Sequence, residues 1–361
     1  MFGRAPSRPN HEIMNFNLDK IIRENVKGLS PYSSARDEYV SDGSTMVFLD
    51  ANENPFENGV NRYPDPQQRS LKAILAKQKG IKEENILLGN GSDEVLDLLF
   101  RAFCEPKEDN VITLPPTYGM YKVLSGINMV ENREVLLTEA FQPDVSAIKE
   151  SIDGNTKLLF ICSPNNPTGN SFSTNNIEEL LKSFAGLVVI DEAYIDFSSE
   201  ESWASKLVEY PNLIVTQTLS KAYGMAGIRL GICLASAEII AVINKIKPPY
   251  NVNQLTQERA IQRVSDIKSV QTEVAIILEE RDKLNKSLET VSFVSKIYPT
   301  DANFILAKVD NATLRYNQLL AKGVVVRNRT TQPLCENTLR FTVGTSEENN
   351  IVITALKALS N

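Results

Sequence analysis

Short apolar runs that stop abruptly on polar side chains set the rhythm of this chain. Leu158-Leu-Phe-Ile-Cys162 gives way to Ser163-Pro-Asn-Asn166-Pro-Thr-Gly169, and Leu187-Val-Val-Ile190 gives way to Asp191-Glu-Ala-Tyr194. Nearly all-apolar runs of this length predict strands buried on both faces, the signature of a parallel sheet covered by helices. Other stretches follow a helical period. Val95, Leu98, Leu99, Ala102 and Phe103 recur at spacings of three and four and predict an amphipathic helix. Ser92, with Asp93 and Glu94 beside it, stands where its cap and first turn belong. The approach Gly89-Asn-Gly-Ser92 leaves backbone amides open at that helix start, a ready site for a phosphate. Ile267 to Thr290 reads as one long helix with core positions near Val270, Val274, Ile277 and Leu284. Strand-like and helix-like segments alternate between turn signals, so the expected fold class is α/β.

Composition narrows the function. A chain of 361 residues is long enough for a large domain plus a smaller one. Hydrophobic content of 42% and charged content of 23% are ordinary for a globular enzyme. A net charge of −7 argues against nucleic acid or an anionic membrane as partner, so any cationic feature must be local, as an anion-binding pocket would be. No apolar run approaches a membrane span. Cys104, Cys162, Cys233 and Cys335 match no zinc or redox spacing, so no metal site is expected; buried free thiols in a reducing cytoplasm are. His11 is the only histidine. That excludes a histidine base in the body of the protein and leaves lysine as the natural proton carrier. The stretch from Met1 to Glu12 has little periodicity and lacks the apolar core of a secretory signal.

The chemistry gathers at the ends of the apolar runs. In open α/β sheets, ligands bind beyond the carboxyl ends of the strands, so Asn166, Asp191 and Tyr194 are expected on one rim. A third segment, Thr218-Leu-Ser-Lys-Ala-Tyr-Gly-Met-Ala-Gly-Ile-Arg229, adds a lysine amine at Lys221, a hydroxyl at Ser220 and a guanidinium at Arg229. A lysine amine can condense with an aldehyde cofactor, and an arginine fork can clamp that cofactor's phosphate. Pyridoxal 5′-phosphate (PLP) requires this set. A carboxylate keeps its ring nitrogen protonated, a tyrosine and an asparagine reach its phenolic oxygen, and a lysine shuttles the α-proton. Each segment alone is as well explained by a turn, a solvated strand end or a surface lysine. All three, in this order and at strand ends, are not.

Further segments match the same pattern: Leu49-Asp-Ala-Asn-Glu-Asn-Pro55, Tyr63-Pro-Asp65, Gly89-Asn-Gly-Ser-Asp-Glu94, Pro115-Pro-Thr-Tyr-Gly-Met-Tyr121 and Leu339-Arg-Phe-Thr-Val-Gly-Thr345. With them the chain resembles the fold-type I PLP-dependent aminotransferases of class I/II from about Asn25 to its end. Within those it most resembles the histidinol-phosphate aminotransferases. The resemblance implies a large domain with a mostly parallel central sheet covered by helices, and a smaller α/β domain built from both chain ends. Its boundaries would be a disordered leader at residues 1–13, an N-terminal segment with part of the small domain at 14–64, a large PLP-binding domain at 65–280 and the C-terminal small domain at 281–361. It also implies roles. Lys221 is the catalytic lysine, Asp191 faces the ring nitrogen, Asn166 and Tyr194 tune the phenolic oxygen and Tyr118 stacks on the ring. Ser92, Asp93, Ser220 and Arg229 surround the cofactor phosphate. Tyr63 reaches the phosphate of the neighbouring subunit, which implies a homodimer with shared sites.

The resemblance implies that Arg340 holds a substrate anion, that Arg327 is a second phosphate-binding arginine and that Tyr32 contacts substrate. Arg329 lies two residues from Arg327, on the same side of an extended strand, and is an alternative anchor. The implied reaction exchanges an amino group between L-glutamate and imidazole-acetol phosphate, giving L-histidinol phosphate and 2-oxoglutarate. Three readings stand beside it: an aromatic amino-acid aminotransferase, a threonine-phosphate decarboxylase, and a non-catalytic PLP-binding regulatory module. The last usually carries a DNA-binding domain, and this chain has no basic helix-turn-helix segment to spare.

Overall fold

The computed structural model describes residues 16–30 and 46–360. Seven strands form the main sheet: β1 (Ile86–Asn90), β2 (Asn110–Thr113), β3 (Glu131–Glu134), β4 (Thr156–Cys162), β5 (Leu187–Asp191), β6 (Leu213–Thr218) and β7 (Leu230–Ala235). Their order is β1-β7-β6-β5-β4-β2-β3. β3, β2, β4, β5 and β6 pair in parallel, while β7 runs antiparallel to both β6 and β1. The apolar runs are apolar because both faces are covered. Leu159, Ile161, Val188 and Ile190 pack on one side with the helices Arg69–Lys79, Thr174–Ser183 and Gln254–Ser265. Leu158, Phe160, Leu187 and Val189 pack on the other with Ser92–Phe103, Met120–Ile127 and Ala237–Asn244. Each such side chain, withdrawn fully from water, contributes roughly 1.5–3 kcal/mol.

Ile21, Ile22 and Val26 of the N-terminal segment join the second of these cores, so this stretch packs against the large sheet. Arg23 Nε, 3.1 Å from Glu105, and Lys245 Nζ, donating to the Lys27 carbonyl at 2.9 Å, tie it there.

A second, antiparallel sheet consists of β8 (Val294–Ile297), β9 (Phe304–Val309), β10 (Arg327–Asn328) and β11 (Thr338–Thr342), ordered β10-β11-β9-β8. One face packs with Ala312–Ala321 and Ser346–Ser360 in a core of its own. Phe304 and Leu306, from the other face, belong to the core of the main sheet. The long helix spans Ile267–Leu288, two residues short of the sequence expectation, because Thr290 N turns back to the Ser287 carbonyl at 3.1 Å. Val270 lies in the main core and Leu284 and Leu288 in the smaller one, while Val274 flanks the first and Ile277 touches both.

One close approach fixes the edge where the chemistry lies. β7 passes directly under the start of the helix Ser92–Phe103, so a Cβ added at Gly231 would meet Ser92 N at 2.3 Å and the Gly91 carbonyl carbon at 2.4 Å. Gly231→Ala should therefore destabilise by about 1–3 kcal/mol through forced backbone separation. Gly126→Ala is the contrast: this exposed helical glycine has nothing within 4 Å of its added Cβ, and the change should stabilise by about 0.5–1 kcal/mol. Denaturant unfolding of the two variants checks both signs.

Candidate active site

β1, β4, β5 and β6 finish along one edge of the sheet, and the residues just beyond them line a cavity of about 280 Å³. Its walls include Ser92 and Asp93 after β1, Asn166 after β4, Asp191 and Tyr194 at and after β5, Ser220, Lys221 and Arg229 in the β6–β7 connection, and Tyr118. Arg340 of β11 closes it from the second sheet.

Asp191, the last residue of β5, is buried at the floor. Its carboxylate accepts from Tyr121 Oη at 2.7 Å and from Ala193 N at 3.2 Å. Burial pushes its pKa up, and these two hydrogen bonds pull against that shift. No cation forms an ion pair with it among the described residues, so the floor is a buried acceptor suited to a protonated ring nitrogen. Tyr121 closes the motif Pro115–Tyr121, which carries no sequence signal of this role. It lies three residues after Tyr118, in the first turn of the helix Met120–Ile127, fully buried and stacked on Phe160 at 4.9 Å.

Lys221 projects from the connection that reverses the chain between β6 and β7. The Gly224 N–H bonds its carbonyl at 3.0 Å and Met225 N bonds the Leu219 carbonyl at 3.0 Å, folding the turn over the strand ends. Nζ lies 5.6 Å from the centre of the Tyr194 ring. Its pKa is lowered, first by loss of solvation and then by repulsion from Arg340 and Arg229, with Asp191 and Asp93 opposing. Across the cavity Asn166 Nδ2 donates to Tyr194 Oη at 3.4 Å, and Arg340 Nη1 donates to Asn166 Oδ1. Burial, above all, raises the pKa of the Tyr194 phenol, which therefore stays protonated. The Arg340 guanidinium lies 5.0 Å from the Phe304 ring centre, and its buried Nε has no hydrogen-bond partner.

At the other end a cradle for an anion forms. Gly91, at φ 80°, caps the helix whose first residue is Ser92; the side chain expected to cap is in fact the first turn. A Cβ on Gly91 would come within 2.6 Å of Arg229 Nη2, so the glycine lets the guanidinium close over the helix start. The two neighbouring acids do not repel an anion there. Glu94 turns back to accept from Asn90 N and, at 2.8 Å, from Asn251 Nδ2. Asp93 accepts from Tyr118 Oη at 3.0 Å and lies 3.5 Å from Arg229 Nη2, orienting both. Ser220 Oγ accepts from Thr218 Oγ1 at 2.9 Å. Open helix amides, a guanidinium and two hydroxyls suit a phosphate.

The remaining expected residues lie elsewhere. Tyr63 is half-exposed outside this cavity, stacked on Tyr250 at 4.5 Å. Arg327 is exposed and Arg329 partly buried, and neither lines the cavity. Tyr32 falls outside the described residues. All four cysteines are free and buried.

The family model described as aminotransferase class I and II matches residues 45–356. Over 346 residues the chain is 67% identical to a histidinol-phosphate aminotransferase of Flavobacterium johnsoniae, covering 96% of this chain and 99% of that one. The crystal structure of a histidinol-phosphate aminotransferase from Clostridium acetobutylicum matches with a TM-score of 0.78 at 25% identity, covering 84% of this chain and 91% of that one. That of the Sinorhizobium meliloti histidinol-phosphate aminotransferase, in complex with pyridoxal-5′-phosphate, shares the fold with a TM-score of 0.76 at 22% identity, covering 83% of each chain.

The lowered pKa of Lys221 has a testable sign. The neutral, nucleophilic amine should appear at lower pH than in a surface lysine, whose ordinary value is 10.5. In cofactor-free protein, acylation of Lys221 followed by mass spectrometry should rise through a midpoint below that value. Arg340→Gln removes one of the repelling charges and should move the midpoint up. An unmoved midpoint in that variant contradicts the electrostatic account.

Proposed function

Because the chain belongs to the class I and II aminotransferase family, we propose that it is a histidinol-phosphate aminotransferase. It exchanges an amino group between L-glutamate and imidazole-acetol phosphate, giving L-histidinol phosphate and 2-oxoglutarate. The observation that carries this reading is the presence of two separate cationic ends in one cavity. The cradle at Ser92 and Arg229 suits a cofactor phosphate, and Arg340, with a buried Nε lacking a partner, leaves a second anion to be supplied by the substrate.

The cofactor is PLP, and the residues present fit it. Ser92, Ser220 and Arg229 hold its phosphate, with Asp93 keeping Arg229 and Tyr118 in place. Tyr118 would cover the ring, Asn166 and Tyr194 would serve the phenolic oxygen and Asp191 the ring nitrogen. When bound, the cofactor supplies an electron-accepting ring that makes the α-proton of the amino substrate removable. The protein then has to move one proton. Lys221, with its lowered pKa, accepts it from the substrate carbon and returns it across the cavity without a histidine. Asp191, held by Tyr121 and the Ala193 amide, balances the positive charge at the ring nitrogen.

The position of Tyr63 supports a homodimer. Its ring lies outside its own cavity, on a surface where Val60 and Phe56 are also exposed, which supports a role for it in the phosphate cradle of a second copy. The buried free thiols suit a reducing cytoplasm.

Lys221→Ala should lower transamination by at least about 10³-fold while leaving the far-ultraviolet dichroism unchanged. Near-normal turnover by this variant would refute the mechanism. Mixing the PLP-loaded protein with histidinol phosphate, and separately with glutamate, should convert the cofactor absorbance in a single turnover. A response to phenylalanine without one to histidinol phosphate would move the chain to the aromatic aminotransferases, and carbon dioxide release from threonine phosphate to the decarboxylases.

A further inference from the structure

Asp191 belongs to a row of side chains that crosses the main sheet. Cys162 of β4, Asp191 of β5 and Thr216 of β6 are direct neighbours in the parallel ladders, and Thr216 pairs in turn with Cys233 of β7. Directly paired residues share a face of a sheet, and neighbouring strands lie about 4.8 Å apart. Cys162 and Cys233 pack in the core that contains Tyr121, so the whole row stands on that face. Buried thiols behave as small apolar groups. The Asp191 carboxylate and the Thr216 hydroxyl are therefore the polar pair of the row.

That hydroxyl has no structural use of its own. Thr216 is fully buried, and its Oγ1 has no hydrogen-bond partner among the described residues. Thr218, two residues on, differs: its hydroxyl is directed to Ser220 Oγ at 2.9 Å and to the Leu230 carbonyl at 3.2 Å. A buried polar group without a partner destabilises a fold, and valine would fill the same space without that cost.

The charge that Asp191 must carry gives the hydroxyl a purpose. Burial raises the Asp191 pKa; the Tyr121 hydroxyl and the Ala193 amide oppose that shift, the Asp93 charge adds to it, and the Thr216 hydroxyl opposes it. An ionised carboxylate offers about four acceptor positions. Tyr121 Oη and Ala193 N take two, and a protonated ring nitrogen would take a third. Thr216, one strand away on the same face, is placed for the fourth.

We propose that Thr216 is a positioning residue for the reaction: it touches neither cofactor nor substrate, and its hydroxyl donates to Asp191 when that carboxylate serves as counter-ion to a protonated ring nitrogen. The assignment deepens the aminotransferase reading above and rests on it. Thr216 does not line the cavity and acts only through Asp191, which does.

The test compares the wild type with Thr216→Val, which keeps the shape and removes the hydroxyl, and Thr216→Ser, which keeps the hydroxyl. In cofactor-free protein, Thr216→Val should leave the urea midpoint unchanged or raise it, because the group removed lacks a partner. The same variant should bind pyridoxamine 5′-phosphate, which forms no imine with Lys221, about 10-fold more weakly. In nitrogen NMR of cofactor labelled at the ring nitrogen, its resonance should move toward the unprotonated position. Thr216→Ser should restore both affinity and resonance. A lowered urea midpoint with unchanged affinity and resonance would make the hydroxyl structural and overturn the assignment, as would equal losses of affinity in the valine and serine variants. If the wild type binds the probe and Thr216→Val binds it equally tightly, the assignment alone fails. If the wild type binds no pyridoxamine 5′-phosphate, the aminotransferase reading falls with it.

Discussion

Burial of β4, β5 and β6 on both faces keeps the middle of each strand apolar, since an unpaired polar group there would cost about 1–3 kcal/mol or more. Polar chemistry is therefore displaced to the strand ends, and because these strands are parallel their carboxyl ends fall on a single edge. Asn166, Asp191 and the Lys221 connection meet there as a consequence of sheet direction. β7 adds the one antiparallel step, and its Gly231 lets the Gly91–Ser92 turn sit down on the same edge. Without that contact the anion cradle and the lysine would lie on separate levels.

The cavity also sorts its charges. In a chain of net charge −7, cations are concentrated at its two ends: Arg229 with the helix amides at one, Arg340 at the other. Lys221 lies between them, and repulsion from both ends adds to the loss of solvation that lowers its pKa. The same arginines that can bind anions thus prepare the base. Asp93 and Asp191 pull the other way, so the basicity of Lys221 is a balance among groups on both sheets.

Much of this was legible in the sequence, for identifiable reasons. The strand ends could be read because apolar runs terminate sharply, and the helix Ser92–Phe103 because its period is clean. The long helix was placed with its four core positions, although its last turn unwinds. Tyr121 went unassigned since a buried tyrosine three residues after Tyr118 looks the same whether it packs or holds Asp191. The roles of Asp93 and Glu94 were obscure because only the folded chain turns Glu94 back onto Asn90 and Asn251. Strand periodicity gave Arg327 and Arg329 one face, but which of them is buried depends on where β10 stops beside β11. Tyr63 could be matched only by resemblance, because its ring lies outside its own cavity.

The helix Ile267–Leu288 begins in one core and ends in the other. With 22 residues it is about 33 Å long. Mechanically it is a lever with its fulcrum near Ile277, which touches both cores. A tilt of about 3° about that point displaces either end by about 0.9 Å. Misplacements of about 1 Å already matter to reacting groups. Packing changes beneath Val270 or Leu284, far from any reacting atom, are thereby carried into the spacing between Lys221 and Arg340.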